Sequence, residues 1–72
     1  MPGDVSAAIA ERMVARRKEH KLSQTALARK SGVSLGSIRR FEQQHEIPLT
    51  ALLNLAFALS CEQDFETLFS QP

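Results

Sequence analysis

The chain has 72 residues, of which 24% are charged, and its formal net charge is +1. A chain of this length buries only about 60% of the surface that its unfolded form exposes, so residues 1–72 are expected to form one domain with one small core. Cys61 is the only cysteine, which excludes an internal disulfide, and no apolar run approaches the length of a membrane span. The amino-terminal residues also lack the layout of a signal peptide. We therefore expect a cytoplasmic protein that binds no metal, no cofactor and no membrane.

The basic residues are concentrated in one part of the chain. All nine Lys and Arg residues lie between Arg12 and Arg40, where Glu19 is the only acidic residue. From Phe41 onward the chain has five acidic residues and no basic one. This partition predicts a basic half and an acidic half. A basic surface favours polyanions such as nucleic acids, because binding releases their counterions.

The first predicted helix runs from Asp4, a suitable N-cap, to about Glu19. Ile9, Ala10 and Met13 are expected to face the core, because residues three and four apart share one face of a helix. The basic residues of this segment are then expected on the solvent-exposed faces.

Two short helices are predicted next, at residues 24–30 and 35–43. Ser23 and Ser34 precede them and are good N-caps, because a serine hydroxyl can accept a hydrogen bond from a free amide of the first turn. Gly32 follows the first of these helices, where a positive φ is often needed and a glycine has no Cβ to clash. The residues expected to face inward in this pair of helices are Leu27, Ala28, Val33, Ile38 and Phe41.

The carboxyl-terminal half predicts one strongly apolar helix and one short one. Pro48 is suited to the opening of the fourth helix, because it needs no amide donor there. A last helix is predicted over residues 62–69, with Phe65, Leu68 and Phe69 on one face. No segment shows the sustained alternation of a strand, so the predicted fold is all-α with four or five short helices.

The segment from Gln24 to Glu42 carries the main functional signal. Small and apolar residues lie where two helices must touch, and one glycine lies in the tight turn between them. This arrangement is typical of a helix-turn-helix, which holds its second helix at an angle that fits the major groove of DNA. The alternatives are an ordinary helical hairpin that binds nothing and a protein-binding module that uses the acidic carboxyl-terminal half. An enzyme is the least favoured class, because the sequence has no nucleophile–base–acid set and no phosphate-binding loop.

The chain resembles the Cro/C1-type helix-turn-helix family, the lambda-repressor-like DNA-binding domains. The resemblance extends from about Ile9 to Phe69 and includes Leu22-Ser23-Gln24, Leu27-Ala28, Gly32-Val33-Ser34, Ile38 and Glu42. It implies a four- to five-helix domain, with the helix-turn-helix at helices 2 and 3, that binds double-stranded DNA as a sequence-specific transcriptional regulator. It also implies base readout by Leu35, Gly36, Ser37, Arg39 and Arg40, and DNA-backbone contacts by Arg17, Ser23, Gln24, Ser34 and Gln43.

Side-chain chemistry gives these base-readout positions different expected roles. Arg40 is long enough to place its guanidinium on O6 and N7 of a guanine, and Arg39 could do the same or bind a phosphate. Leu35 has no hydrogen bond to offer and is expected to lie against a thymine methyl group. Gly36 offers no side chain, which predicts less direct readout at that base pair and closer approach of the helix backbone.

The family resemblance also pairs Arg17 of the first helix with Glu42 at the end of the third. In one interpretation Glu42 orients Arg17 toward a phosphate. In the other, the two residues form a partly buried salt bridge that locks the third helix against the first. The two interpretations are compatible.

The carboxyl-terminal aromatic residues predict a second kind of contact. Phe65, Leu68 and Phe69 are expected at a two-fold homodimer interface, with Phe65 also completing the core. Residues 32–42 and 65–69 are similar to small regulators of the Hip-type antitoxin group. That similarity implies an alternative to a stand-alone dimeric repressor, namely an antitoxin that represses its own operon and binds a kinase-like toxin.

Overall fold

The computed structural model describes residues 1–72, which form five helices joined by short connections. The helices are α1 (Pro2–Glu19), α2 (Gln24–Ser31), α3 (Leu35–Gln44), α4 (Leu49–Ala58) and α5 (Gln63–Glu66). No strand is present, so the all-α fold class expected from the sequence is confirmed. None of the five helices has both the length and the apolar character needed to cross a membrane.

Helix α1 begins two residues before the expected N-cap. Met1 is the N-cap and Pro2 is the first helical residue, so the assignment of Asp4 as the cap is wrong. Proline suits this position because its φ is already helical and its missing amide has no partner to lose. Asp4 lies in the first turn, where its carboxylate is 3.6 Å from the terminal ammonium group. Its negative charge there stabilises the helix by interacting with the positive end of the helix dipole.

The turn between α2 and α3 has the geometry that the sequence predicts. The Ser23 hydroxyl accepts a hydrogen bond from the amide of Ala26 at 3.0 Å, and the Ser34 hydroxyl accepts one from the amide of Ser37 at 3.1 Å. Gly32 has a φ of +79° and ends α2 in the left-handed conformation. Helices α2 and α3 each end one residue later than expected, at Ser31 and Gln44. The last turn of each is closed by the amide of the next residue, which donates to the carbonyl of Ala28 in α2 and of Phe41 in α3.

The core lies where α2, α3 and α4 meet α1. Leu27, Ile38 and Leu55 are its largest fully buried side chains, and each comes from a different helix. Met13 of α1 and Val33 of the turn belong to the same buried cluster. Burying a side chain of this size stabilises the folded state by roughly 1.5–3 kcal/mol, so these few residues account for much of the stability of so short a chain.

The carboxyl-terminal helix is much shorter than expected. It covers Gln63–Glu66 rather than residues 62–69, and the placing of Phe65, Leu68 and Phe69 on one helix face is therefore wrong. Thr67 ends the helix, and Phe69 lies beyond it with a left-handed φ of +66° and 95% of its surface exposed.

A polar network joins α1, α2 and α3. The guanidinium group of Arg17 donates from Nε and Nη2 to the two carboxylate oxygens of Glu42, at 2.8 and 3.0 Å, and from Nη1 to the carbonyl oxygen of Leu22 at 3.0 Å. The Nε2 atom of Gln24 donates to Oε1 of the same carboxylate at 2.9 Å. The side chains of Arg17 and Glu42 are only 11% and 10% exposed. The ion pair expected from the family resemblance is thus present as a nearly buried contact in which every guanidinium nitrogen has an acceptor.

Gly32→Ala should destabilise the fold by about 1 kcal/mol, because an alanine Cβ is strained at positive φ. Gly36→Ala is the matched control. A Cβ at Gly36 would meet no atom within 4 Å, and φ there is not positive. That change should stabilise α3 by about 0.4–1 kcal/mol. Urea unfolding at one protein concentration measures both free energies of unfolding, and a Gly32→Ala variant as stable as wild type would contradict the left-handed cap.

Glu42→Ala should lower the free energy of unfolding by about 3 kcal/mol, because it leaves the nearly buried Arg17 without its carboxylate. Glu19→Ala removes a carboxylate from the exposed pair that Glu19 forms with Arg16 at 2.6 Å. Such a surface pair is worth at most about 1 kcal/mol, so this control should change stability little. Equal losses in the two variants, measured by thermal or urea unfolding, would contradict a structural role for the Arg17–Glu42 pair.

Candidate nucleic-acid interface

Helix α3 has one buried face and one open face. Ile38 and Phe41 are almost completely buried, whereas Arg39 and Arg40 are exposed. Neither arginine takes part in any of the three salt bridges of the chain. Both guanidinium groups are therefore free to meet an external partner while the opposite face holds the helix on the core.

The first turn of α3 presents short side chains. Gly36 is exposed, and the space where its Cβ would lie contains no atom within 4 Å. Leu35 is half-buried and so keeps part of its apolar surface accessible. The Ser34 and Ser37 hydroxyls are hydrogen-bonded to each other at 2.8 Å, in addition to the helix cap that Ser34 provides. The two serines are thus partly satisfied within the protein, and the backbone at Gly36 is exposed with no side chain over it.

The residues expected to contact the DNA backbone differ in how accessible their polar groups are. Ser23 and Gln43 are exposed, whereas Gln24 is half-buried. The amide group of Gln24 gives one hydrogen to Glu42 and keeps its oxygen and second hydrogen for another partner. Arg17 differs from these residues, because each of its three guanidinium nitrogens already donates to an acceptor within the protein.

The basic part of the sequence does not form one continuous surface beside α3. Arg12 and Arg16 lie next to α4 and α5, where they line a groove together with Asp64 and Phe65. Arg16 is also paired with Glu19. The division into a basic half and an acidic half is therefore wrong for these two arginines, since folding brings them beside the acidic carboxyl-terminal residues.

The connection from α3 to α4 contains a feature that the sequence did not predict. His45 ends α3 in the left-handed conformation, with a φ of +66°, and its amide donates to the carbonyl of Phe41. Asparagine and glycine are the usual residues at such a position, so a histidine gives no clear sequence signal. Ile47 then packs against the core and fixes the direction in which the chain enters α4.

Of the three residues expected at a dimer interface, only Phe65 and Leu68 line the same groove. Phe65 is half-buried and lines the groove between α1, α4 and α5, and Leu68 lines the same groove while remaining 56% exposed. Phe69 is not part of that lining and is almost completely exposed. These placements define an apolar carboxyl-terminal surface on the side of the molecule that does not include α3.

Comparison with known proteins agrees with this geometry. A family model described as Helix-turn-helix matches residues 14–62, which include the whole α2–turn–α3 unit and most of the core. The match covers more than half of the chain. No curated protein and no solved structure matches the chain. The five-helix architecture and the family match together show a lambda-repressor-like fold, and the chain belongs to the Cro/C1-type helix-turn-helix family of DNA-binding regulators.

Proposed function

We propose that the chain acts as a dimeric transcriptional repressor that reads double-stranded DNA in the major groove with α3. In this proposal residues 1–72 form one DNA-binding domain, and base readout is performed by Leu35, Gly36, Ser37, Arg39 and Arg40. The observation that carries the proposal is the pair of exposed, unpaired arginines on α3, directly opposite the buried Ile38 and Phe41.

Arg40 is assigned the main base contact. Its planar guanidinium can bind O6 and N7 of one guanine through two hydrogen bonds, the commonest specific contact in the major groove. Arg39 reads a neighbouring base or binds a phosphate. Leu35 supplies apolar contact to a thymine methyl group, and the bare backbone at Gly36 allows close approach to the groove edge.

The starts of α2 and α3 are assigned the phosphate contacts. The first amides of a helix have no acceptor within it, and they favour anions together with the helix dipole. Ser23 and Ser34 satisfy only one such amide each. Gln24 and Gln43 add side-chain donors, whereas Arg17 acts by holding α3 in position through Glu42 rather than by direct contact.

In this proposal the chain represses transcription by occupying an operator and blocking other proteins from the same DNA. A homodimer would place its two α3 helices about 34 Å apart, one turn of the double helix, or a multiple of that distance.

An antitoxin is the second candidate, favoured by apolar side chains on α4. Leu49 and Phe57 are 63% and 67% exposed, and neither lines the groove beside α5. A surface of this kind suits a protein partner better than water. In this alternative the chain represses its own operon and α4 binds a kinase-like toxin.

Selection of bound duplexes from a random DNA pool at physiological salt tests the repressor proposal. The expected result is an enriched inverted repeat with half-site centres about one helical turn apart. Arg40→Ala should then weaken binding to the enriched site by roughly 10- to 100-fold and remove the preference for one guanine.

Arg29→Ala is the matched control, because Arg29 is an exposed arginine at the end of α2 rather than on α3. It should change the salt dependence at most and leave the base preference intact. Base preferences that are identical in wild type and Arg40→Ala would contradict readout by α3. Weak, salt-sensitive binding without any enriched site would favour the antitoxin candidate, with specificity supplied by a partner.

A further inference from the structure

A groove of about 530 Å³ lies between α1, α4 and α5. Its floor is apolar, since nine of its 14 lining residues are hydrophobic, including Ile9, Leu52 and Leu59. Grooves of about 300–1,000 Å³ commonly hold small molecules, with a few polar groups that orient them. None of the lining residues belongs to α2 or α3, so a ligand bound here would leave the proposed DNA-reading surface free.

The apolar surface continues beyond the groove along both long helices. Val5 lies one turn before Ile9 on α1, and Leu49 lies one turn before Leu52 on α4. Both side chains are exposed, Val5 by 58% and Leu49 by 63%. Between Val5 and Arg12 helix α1 rises about 10 Å. An apolar surface that follows a helix over this length suits an extended alkyl chain.

One edge of the groove carries an unpaired positive charge. Arg12 lines the groove, is exposed, and takes part in none of the three salt bridges of the chain. The charged lining residues are two cations, Arg12 and Arg16, and one carboxylate, Asp64. Arg16 is held by Glu19 at 2.6 Å. Arg12 is therefore the cation of the lining that is free to bind a ligand carboxylate.

Asp64 acts at the part of the groove that contains Cys61. Burial raises the pKa of the Cys61 thiol, Asp64 raises it further, and Arg16 lowers it. Asp64 and Arg16 thus act on the same sulfur atom with opposite signs, so the carboxylate of Asp64 has a cation near it. A cationic ligand beside Asp64 would meet Arg16, whereas an anionic ligand beside Arg12 meets an unpaired cation.

We propose that the groove binds a small alkyl carboxylate, with its carboxylate on Arg12 and its alkyl chain along the apolar floor toward Val5 and Leu49. A guanidinium group can hold a carboxylate through two parallel hydrogen bonds, which fixes the orientation of the ligand. Each methylene group that leaves water adds to the affinity. The site adds a small-molecule ligand to the function proposed above and does not rest on that function.

Titration with alkyl carboxylates of increasing length tests the apolar part of the contact. Hexanoate, octanoate and decanoate, each kept below its micelle concentration, should bind as a single molecule per chain in isothermal titration calorimetry. The affinity should rise about fourfold for each methylene group that is buried. Decylammonium has an alkyl chain of the same length and the opposite charge, and it should bind at least about tenfold more weakly than decanoate.

Arg12→Gln tests the carboxylate contact. It should weaken decanoate binding by roughly 10- to 100-fold, because a hydrogen-bonded contact between charged groups is lost. Arg29→Gln is the matched control, because Arg29 is an exposed, unpaired arginine of α2 outside the groove. It should change the decanoate affinity by less than about twofold, since salt screens so distant a charge. Both variants should keep the thermal stability of wild type, because neither arginine is buried or paired.

Cys61 supplies a second readout, because its side chain lines the groove. Saturating decanoate should slow the alkylation of this thiol by iodoacetamide in wild type. In Arg12→Gln the same slowing should need roughly 10- to 100-fold more decanoate. The same reaction without ligand, run at several protein concentrations, reports whether a second copy of the chain covers the groove.

Three results in the titrations would overturn the proposal: affinities that do not rise with chain length, equal decanoate affinities of wild type and Arg12→Gln, or decylammonium that binds as tightly as decanoate. Alkylation that slows with protein concentration and is unaffected by decanoate would overturn it as well, because a second copy then fills the groove. Failure of the DNA proposal is read separately, from duplex selection with Arg40→Ala, which changes no residue of the groove.

Discussion

The contact between Arg17 and Glu42 determines how α3 is held, and the rest of the interface depends on it. Helix α3 has ten residues and buries only Ile38 and Phe41, so apolar packing holds it at just two points of one face. Glu42 lies one turn beyond Ile38 and is hydrogen-bonded to both α1 and α2 through Arg17 and Gln24. Buried charges of this kind add little net stability but define one arrangement, because any other leaves a charge unpaired. The network on the protein-facing side of α3 thus fixes the orientation of the helix, and with it the direction in which Arg39 and Arg40 project.

The centre of the molecule could be predicted from sequence because its determinants are local. Ser23, Gly32 and Ser34 act within one turn of chain, through a hydroxyl that reaches a nearby amide or a backbone angle that glycine adopts freely. The burial of Leu27 and Ile38 follows from helical periodicity in the same segment. Where the identity of a residue and its immediate neighbours settle the structure, sequence reasoning gave the residues, their conformations and their roles in the fold.

The remaining features depend on contacts between distant segments or on weak local preferences. Three residues adopt left-handed conformations that their residue types do not predict: Lys21, His45 and Ser60. Helix α5 ends at Glu66, and Leu68 and Phe69 after it remain exposed rather than packing on the core. Their apolar character alone would have predicted the opposite. Arg12 lies beside Asp64 because folding brings α1, α4 and α5 around one groove, and charge counting along the chain could not reveal it.

The open space at Gly36 has a consequence for how this protein could evolve. The first turn of α3 is anchored by the Ser34 cap and by Ile38, and neither anchor depends on what occupies position 36. A Cβ added there would meet no atom within 4 Å, so a side chain could be introduced without a clash at its first carbon. Under the proposed readout by α3, a substitution at position 36 would alter the contact to DNA without removing either anchor of the helix. Such a change would leave the scaffold of the fold intact while changing the surface that the proposed readout uses.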